Sequence, residues 1–402
     1  MKLRICIVTS SFPRHPTDAS GIFVYNLAKW LAKKGLALNV IAPHDNGSRF
    51  KETLDGITIH RFPYFFPFQL QKLSYRSGIM KNIRQQPATA SLIPVFLLSE
   101  TLCTLFIAKR IRPDILHAHW TIPQGISGVI CKKLLKIPLV TTVHGSDIFS
   151  FSRSKLNSLN TWILKHSTAC TVNSSATAAA VHKMAGIDPT IIPMGVDTDF
   201  FRPKKKKKTE KELNGRWERT ILFVGRLIDW KGVDNLVRAM PLVLAKFPAS
   251  RLIVVGEGLE RQRLENLSRE LGVAGSIDFT GGLSQNEIVD YYRMADVFVL
   301  PSIINEKGET EGLGVVLLEA LACGVPVVGT KVGGIVDIIA HEKTGLLVPQ
   351  KSPEKLAGSI VRLFEEDALR QATAKNGREF IEARFSWNVI SDAFIKTYNS
   401  IS

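Results

Sequence analysis

The sequence predicts an α/β protein made of two successive doubly wound parallel sheets. Three observations carry that expectation. Short, nearly continuous apolar runs alternate with stretches of helical period in both halves. The alternation breaks once, across residues 192–219, and restarts at Thr220. A length of 402 residues also exceeds what one hydrophobic core usually serves.

In the first half, strands are expected at 4–9, 37–42, 57–62, 114–118, 138–143 and 168–172. A polar loop with two prolines fills 10–20. An amphipathic helix follows at 21–34, with Val24, Leu27, Ala28 and Leu31 on its apolar face and Gly35 at its end. Further helices are expected at 123–135 and 174–184. The segment FPYFFPF at 62–68 is broken by prolines and cannot be a regular central strand. The most hydrophobic window, 92–108, carries Pro94 and Glu100, which favours a buried or interfacial helix over a membrane span. Turn-rich residues 192–203 (IPMGVDTDFFRP) lead into five lysines at 204–208, read as a solvated linker.

The second half repeats the pattern. Strands are expected at 221–224, 251–255, 277–280, 296–301, 325–330 and 345–348. Helices are expected at 234–247, 259–271, 285–294, 313–322 and 335–340, with Gly324 stopping the fourth. Another opens with Ser352 as cap and Pro353 in its first position. The last helix, carrying Trp387, Ile390, Phe394 and Tyr398, is expected to pack back on the first domain as part of 386–402. The expected domains are therefore 1–200 and 201–385, facing across a cleft at the carboxyl ends of their strands.

Composition narrows the class. Apolar content of 45% and charged content of 22% describe an ordinary soluble globular protein. Five scattered cysteines show neither metal spacing nor a disulfide framework, which points to a reducing cytoplasm. The first nine residues read as a strand, with no signal peptide. Residues 1–200 hold 23 Lys/Arg against 10 Asp/Glu, a net charge of +13, so the first domain suits an anionic partner.

The stretch DVFVLPSIINEKGETEGLGVVLLEALACGVPVVGT, 296–330, reads strand, loop, helix, strand. Glu311 lies where the loop enters the helix, and Glu319 about two turns in. A helical side chain leans toward the N-terminus, so both carboxylates can address the space at the helix entrance. That entrance offers unpaired backbone N–H groups and a positive dipole end, which suit phosphate; carboxylates suit sugar hydroxyls. Arg226 and Lys231, in the turn after the first strand of the second half, supply two cations for a pyrophosphate. Tight glycine turns at 256–258 and 281–283 give only part of a dinucleotide fingerprint, so a dehydrogenase is disfavoured.

Arg226, Lys231, the Glu311/Glu319 pair and the following ACGVPVV resemble the retaining, nucleotide-sugar-dependent glycosyltransferases of family 4, which have the GT-B fold. DILHAHW, TTVHGSD, Ser20-Gly21 and IPMGVDTDFFRP extend the resemblance over nearly the whole chain; it is weakest across 45–110. The resemblance implies that Glu311 contacts the donor sugar and Glu319 the ribose. It assigns the diphosphate to Arg226 and Lys231, helped by backbone groups of Leu313, Gly314 and Val315, with Gly21 approaching from the first domain. Gly258, Gly282 and Leu283 complete the donor contacts. His144 is implied near the donor sugar. Asp147 is expected to orient it or to accept a proton from the acceptor.

His117 and His119 are read as alternating on their strand, so that one faces the site; His119 is assigned to the acceptor side. No Asp-x-Asp signature stands near a strand end in the first half, so transfer is expected without metal or cofactor. The implied partners are a nucleotide-sugar donor and a glycan or lipid-linked acceptor. The basic first domain, FPYFFPF and the apolar segment to Lys109 are read either as resting on an anionic membrane surface, which makes a peripheral, cytoplasmic enzyme, or as core packing. A sugar-phosphate or polysaccharide synthase would share the donor site. A basic nucleic-acid-binding protein is the reading from another class. No recognition helix, RNA-binding signature or aromatic interleaving of the lysine run supports it, and no nucleic acid is expected as partner.

Overall fold

The computed structural model describes residues 2–15, 18, 20–75, 78–149, 156–204 and 217–402, so the lysine run beyond Lys204 lies outside the described residues. The chain divides into two compact units. One comprises 1–173, 177–192 and 390–402, the other 174–176 and 193–389.

The first unit is built on β1 (Arg4–Val8), β2 (Ala37–Pro43), β3 (Lys51–Leu54), β4 (Ile57–Phe62), β5 (Ile115–His119), β6 (Leu139–Val143), β7 (Ala169–Val172) and β8 (Thr190–Ile191). Their order is β3-β4-β2-β1-β5-β6-β7-β8, parallel throughout except for the antiparallel pair β3–β4. Leaving aside β3 and β8, this is the doubly wound order in which the sheet reverses direction between β1 and β5. Ile5, Cys6, Ile7 and Val8 are wholly buried, as a strand covered on both faces requires. β3 (KETL) has no apolar alternation and is held by its pairing to β4, which explains why the sequence pattern does not show it.

The second unit is built on β9 (Arg219–Val224), β10 (Ser250–Val255), β11 (Ile277–Gly281), β12 (Val297–Leu300), β13 (Val327–Thr330) and β14 (Leu346–Val348). The order β11-β10-β9-β12-β13-β14 is all parallel and reverses between β9 and β12. Two α/β units with Rossmann-like sheets are thus present, as expected.

Some boundaries move. The helix expected over 313–322 runs Val315–Ala322, because Gly314 at φ 92° caps it and leaves Leu313 in the loop. Glu319 is therefore only about one turn in. The helix expected over 123–135 begins at Ile126, after a wide turn at Thr121–Gly125. Helix Leu156–His166 had no matching expectation.

The apolar window forms helix Ile93–Ile111, entered through Pro94. By length and composition alone it could cross a membrane. Here its inner face, with Phe96, Ile107 and Ala108, joins the core under the sheet. Glu100 is buried on that same face. Gln124 donates Nε2–H to Glu100 Oε2 at 3.1 Å, while Glu100 Oε1 and Gln124 Oε1 are enclosed without a partner. Two acceptors with no donor imply that Glu100 carries a proton, which supplies the missing O–H. Burial raises this carboxyl to about 8, against the bonds from Ser127 and Gln124.

The unfolded chain loses this proton near its ordinary value of 4.5, and the folded chain only near 8. Stability should therefore fall as pH rises between those values, at about 1.4 kcal/mol per pH unit from this group, and level off above. Urea denaturation across that range should show the decline, and Glu100→Gln should flatten it.

Candidate functional site

In the second unit the residues gather at the carboxyl ends of β9 and β12, where the sheet reverses. β9 ends at Val224, and the chain passes Gly225 and exposed Arg226 into a single 3-10 turn, Asp229–Lys231, closed by Gly232 at φ 63°. This turn directs Lys231 inward, and its ammonium donates to Glu311 Oε2 at 2.5 Å. Their side chains are only 9% and 10% exposed. Ser302 Oγ, just after β12, donates to the same oxygen at 3.3 Å. Backbone packing locks the carboxylate's own segment, with Gly334 N–H donating to Glu311 O at 3.1 Å. A buried pair with a third donor is the arrangement that offsets the cost of taking both charges from water.

Glu319 sits apart from this pair, facing helix Gln285–Met294, and accepts the Tyr292 hydroxyl at 2.7 Å. Burial raises Glu319 to about 7, while the tyrosine bond pulls the other way. Gly258 packs where a Cβ would come within 2.0 Å of Leu227 O. Leu227 N–H also donates to Glu257 O, so this turn braces the segment carrying Arg226. Gly282 and Leu283 follow the edge strand β11, two strands from β9 and thus about 10 Å across the sheet. The structure does not gather them with Lys231 and Glu311.

In the first unit the corresponding reversal lies between β1 and β5. Gly21 has φ 67°, and a Cβ there would meet Ser11 O at 2.2 Å, so the turn itself requires glycine. His117 and His119 do not alternate. Residues two apart on a strand share a face, and their rings lie 4.3 Å apart. Both are wholly buried. His117 Nδ1 is 2.7 Å from the Tyr398 hydroxyl and its Nε2 2.6 Å from Thr142 Oγ1. His119 Nδ1 is 3.0 Å from His144 Nε2, and His119 Nε2 has no partner. His119 thus stands behind His144, and direct contact with an acceptor is not its place.

A proton on the enclosed Nε2 of His119 would strand a donor. It therefore belongs on Nδ1, donated to His144 Nε2, which leaves His144 with its own proton on Nδ1. Partly exposed, His144 is framed by Phe23 at 4.9 Å and Trp120 at 4.8 Å between ring centroids. Trp120 itself holds φ 72°, a strained conformation for a bulky residue. Burial lowers His144 to about 3, so it stays neutral. Asp147, expected on the acceptor side, spends its oxygens on backbone: Oδ2 accepts from Thr121 N–H and Oδ1 from His144 N–H, each at 3.1 Å. Its place is to clamp two loops.

Sequence reasoning missed Tyr292 and Ser302, which read as an ordinary core aromatic and a loop serine. It also missed Arg61, whose guanidinium is fully buried and holds Pro13 O at 2.6 Å, Phe12 O at 3.4 Å and Glu52 at 2.8 Å. Arg61 fixes the loop that leads to Gly21. A cation inside the strand ITIHRF was the available signal.

With this geometry in view, comparison with known proteins is decisive. The model described as Glycosyltransferase Family 4 matches residues 20–200, and that described as Glycosyl transferases group 1 matches 203–380. The chain belongs to glycosyltransferase family 4. A GDP-mannose-dependent monoacylated alpha-(1-6)-phosphatidylinositol monomannoside mannosyltransferase of Corynebacterium glutamicum is 31% identical over 67% of this chain and 72% of its own length. A GDP-mannose-dependent alpha-(1-6)-phosphatidylinositol monomannoside mannosyltransferase of Mycobacterium tuberculosis is 36% identical, but the match spans only 50% of this chain and 53% of that protein. Sucrose-phosphate synthase from Thermosynechococcus elongatus shares the fold over 99% of both chains, with a TM-score of 0.79 at 24% identity. The family's GT-B fold, predicted from the motifs, is the fold found.

The expectation that Glu319 takes the ribose carries a pH dependence. The ionised form accepts hydroxyl donors, so on that expectation binding of a nucleoside diphosphate should strengthen as pH rises through about 7. Tyr292→Phe removes the bond that favours the carboxylate and should move this limb to higher pH. Titration calorimetry with UDP and GDP at several pH values reads both effects.

Proposed function

We propose that the chain is a retaining, metal-independent hexosyltransferase that moves a hexosyl group from a nucleoside-diphosphate sugar to a glycan or lipid-linked acceptor. The buried Lys231–Glu311 pair at the sheet reversal is the observation that carries this reading. It sets a cation and a carboxylate at one point, with Glu319 on the helix that follows. Arg226 and Lys231 take the diphosphate, assisted by the N–H groups at the entrance of helix Val315–Ala322. Glu311 takes sugar hydroxyls and Glu319 the ribose. His144, neutral and protonated on Nδ1, donates to the sugar. The 1–200 region selects the acceptor, and 201–385 the donor.

In the step proposed, the bond from the anomeric carbon to the diphosphate oxygen breaks as the acceptor oxygen bonds to the same face. The leaving diphosphate takes the acceptor's proton, and the two cations offset its charge. The Corynebacterium relative named for GDP-mannose and a phosphatidylinositol mannoside supports a GDP-sugar donor and a lipid-linked acceptor. Such an acceptor supports a peripheral enzyme at the cytoplasmic face of a membrane.

Donor hydrolysis and transfer, assayed across UDP-, GDP- and ADP-sugars, test the reading, with turnover expected for at least one. Arg226→Ala should lower kcat/KM by about 2–4 kcal/mol of transition-state stabilisation. Turnover with none of the donors, or a wild-type rate in Arg226→Ala, contradicts it.

A further inference from the structure

The outer face of helix Ile93–Ile111 does not look like the outer face of a helix facing water. Val95, Leu98, Leu102 and Phe106 recur at helical spacing on the side opposite Phe96, Glu100 and Ala108. Leu98 is 60% exposed and Phe106 66%. A helix on a water-facing surface normally carries charged residues there. The patch continues beyond the helix. Ser99 Oγ donates to Pro63 O at 2.5 Å, tying the helix to the loop that bears Phe65 and Phe66, the latter 78% exposed.

Charge identifies the occupant. Residues 62–111 contain six Lys/Arg and a single acid, Glu100, which is buried. Exposed Lys109 and Arg110 close the helix at its last turn. Exposed apolar side chains from Val95 to Phe106, along about 17 Å of helix, followed by Lys109 and Arg110 and with no exposed acid in 62–111, match a bilayer surface with acidic headgroups. Crossing the bilayer is ruled out for this arrangement. Phe96 and Ile107 are committed to the sheet core, and Glu100 to Gln124.

We infer that this face lies on an acidic phospholipid surface, with Leu98, Leu102, Phe106 and Phe66 in the acyl boundary and Lys109 and Arg110 at the phosphates. The inference rests on the lipid-linked acceptor reading only for its purpose; its residues share nothing with the donor site.

The test is flotation of the full chain with phosphatidylcholine vesicles, with and without phosphatidylglycerol, at low and high salt. The wild type should bind the phosphatidylglycerol vesicles and release at high salt. The triple variant Leu98→Ser, Leu102→Ser, Phe106→Ser should bind at least about tenfold more weakly. Lys109→Glu with Arg110→Glu should lose the preference for phosphatidylglycerol. Both variants should keep the wild-type circular dichroism and nucleoside-diphosphate affinity. Three results would overturn the inference: wild-type indifference to phosphatidylglycerol, unaltered binding by the triple variant, or a wild-type dimer in light scattering that the triple variant dissolves. Vesicle binding without any donor turnover would sink the transferase reading and leave this one standing.

Discussion

The buried contact between Lys231 and Glu311 is the constraint on which the second unit's site depends. Neither charge is stable alone at that depth, and removing one partner of such a pair typically costs about 3–5 kcal/mol. Several local choices serve the pair. The glycine at 232 turns the chain so that Lys231 points inward. Ser302 adds a second donor, and its own carbonyl is held by Thr330 Oγ1 at 2.5 Å. The ends of three strands, β9, β12 and β13, are thereby tied to one carboxylate. A site stitched in this way is set before any ligand arrives, which is what electrostatic stabilisation of a leaving diphosphate needs.

The first unit is organised by the same economy with different groups. Buried His117 bonds to Tyr398, and buried His119 to the partly exposed His144, with no charge among them. Desolvation keeps them neutral, so the arrangement works through hydrogen-bond direction: His119 fixes the tautomer of His144, which presents a donor. Tyr398 comes from the final helix, whose residues 390–402 belong to this unit. The C-terminal segment therefore sets the hydrogen bonding of a histidine 281 positions away in sequence.

Much of this was legible in the sequence, because a parallel sheet buried on both faces writes itself as apolar runs. Both sheets, β3 aside, followed from that pattern, and motif spacing led to Lys231 and Glu311, which the fold brings into contact. What was illegible depended on tertiary contact. Strand β3 exists only through its partner. Tyr292 looked like any core aromatic until Glu319 was seen opposite it. The sequence leaves Asp147 either orienting His144 or taking a proton, because its backbone partners, Thr121 and His144, meet only after folding. The reading of His117 and His119 failed for a simpler reason, since a period of two puts them on one face. The apolar pattern puts Glu319 a turn too deep because it runs the helix through Gly314, which is the cap.

In the function proposed above, Lys231 and Glu311 hold each other in place until a nucleotide sugar arrives and then divide its groups between them. A crystal structure with a bound, unhydrolysed donor tests this most directly. Lys231 Nζ should lie against a diphosphate oxygen, with Glu311 on hydroxyls of the sugar and Glu319 on the ribose. A donor whose phosphates lie elsewhere, with the Lys231–Glu311 contact untouched, would contradict it.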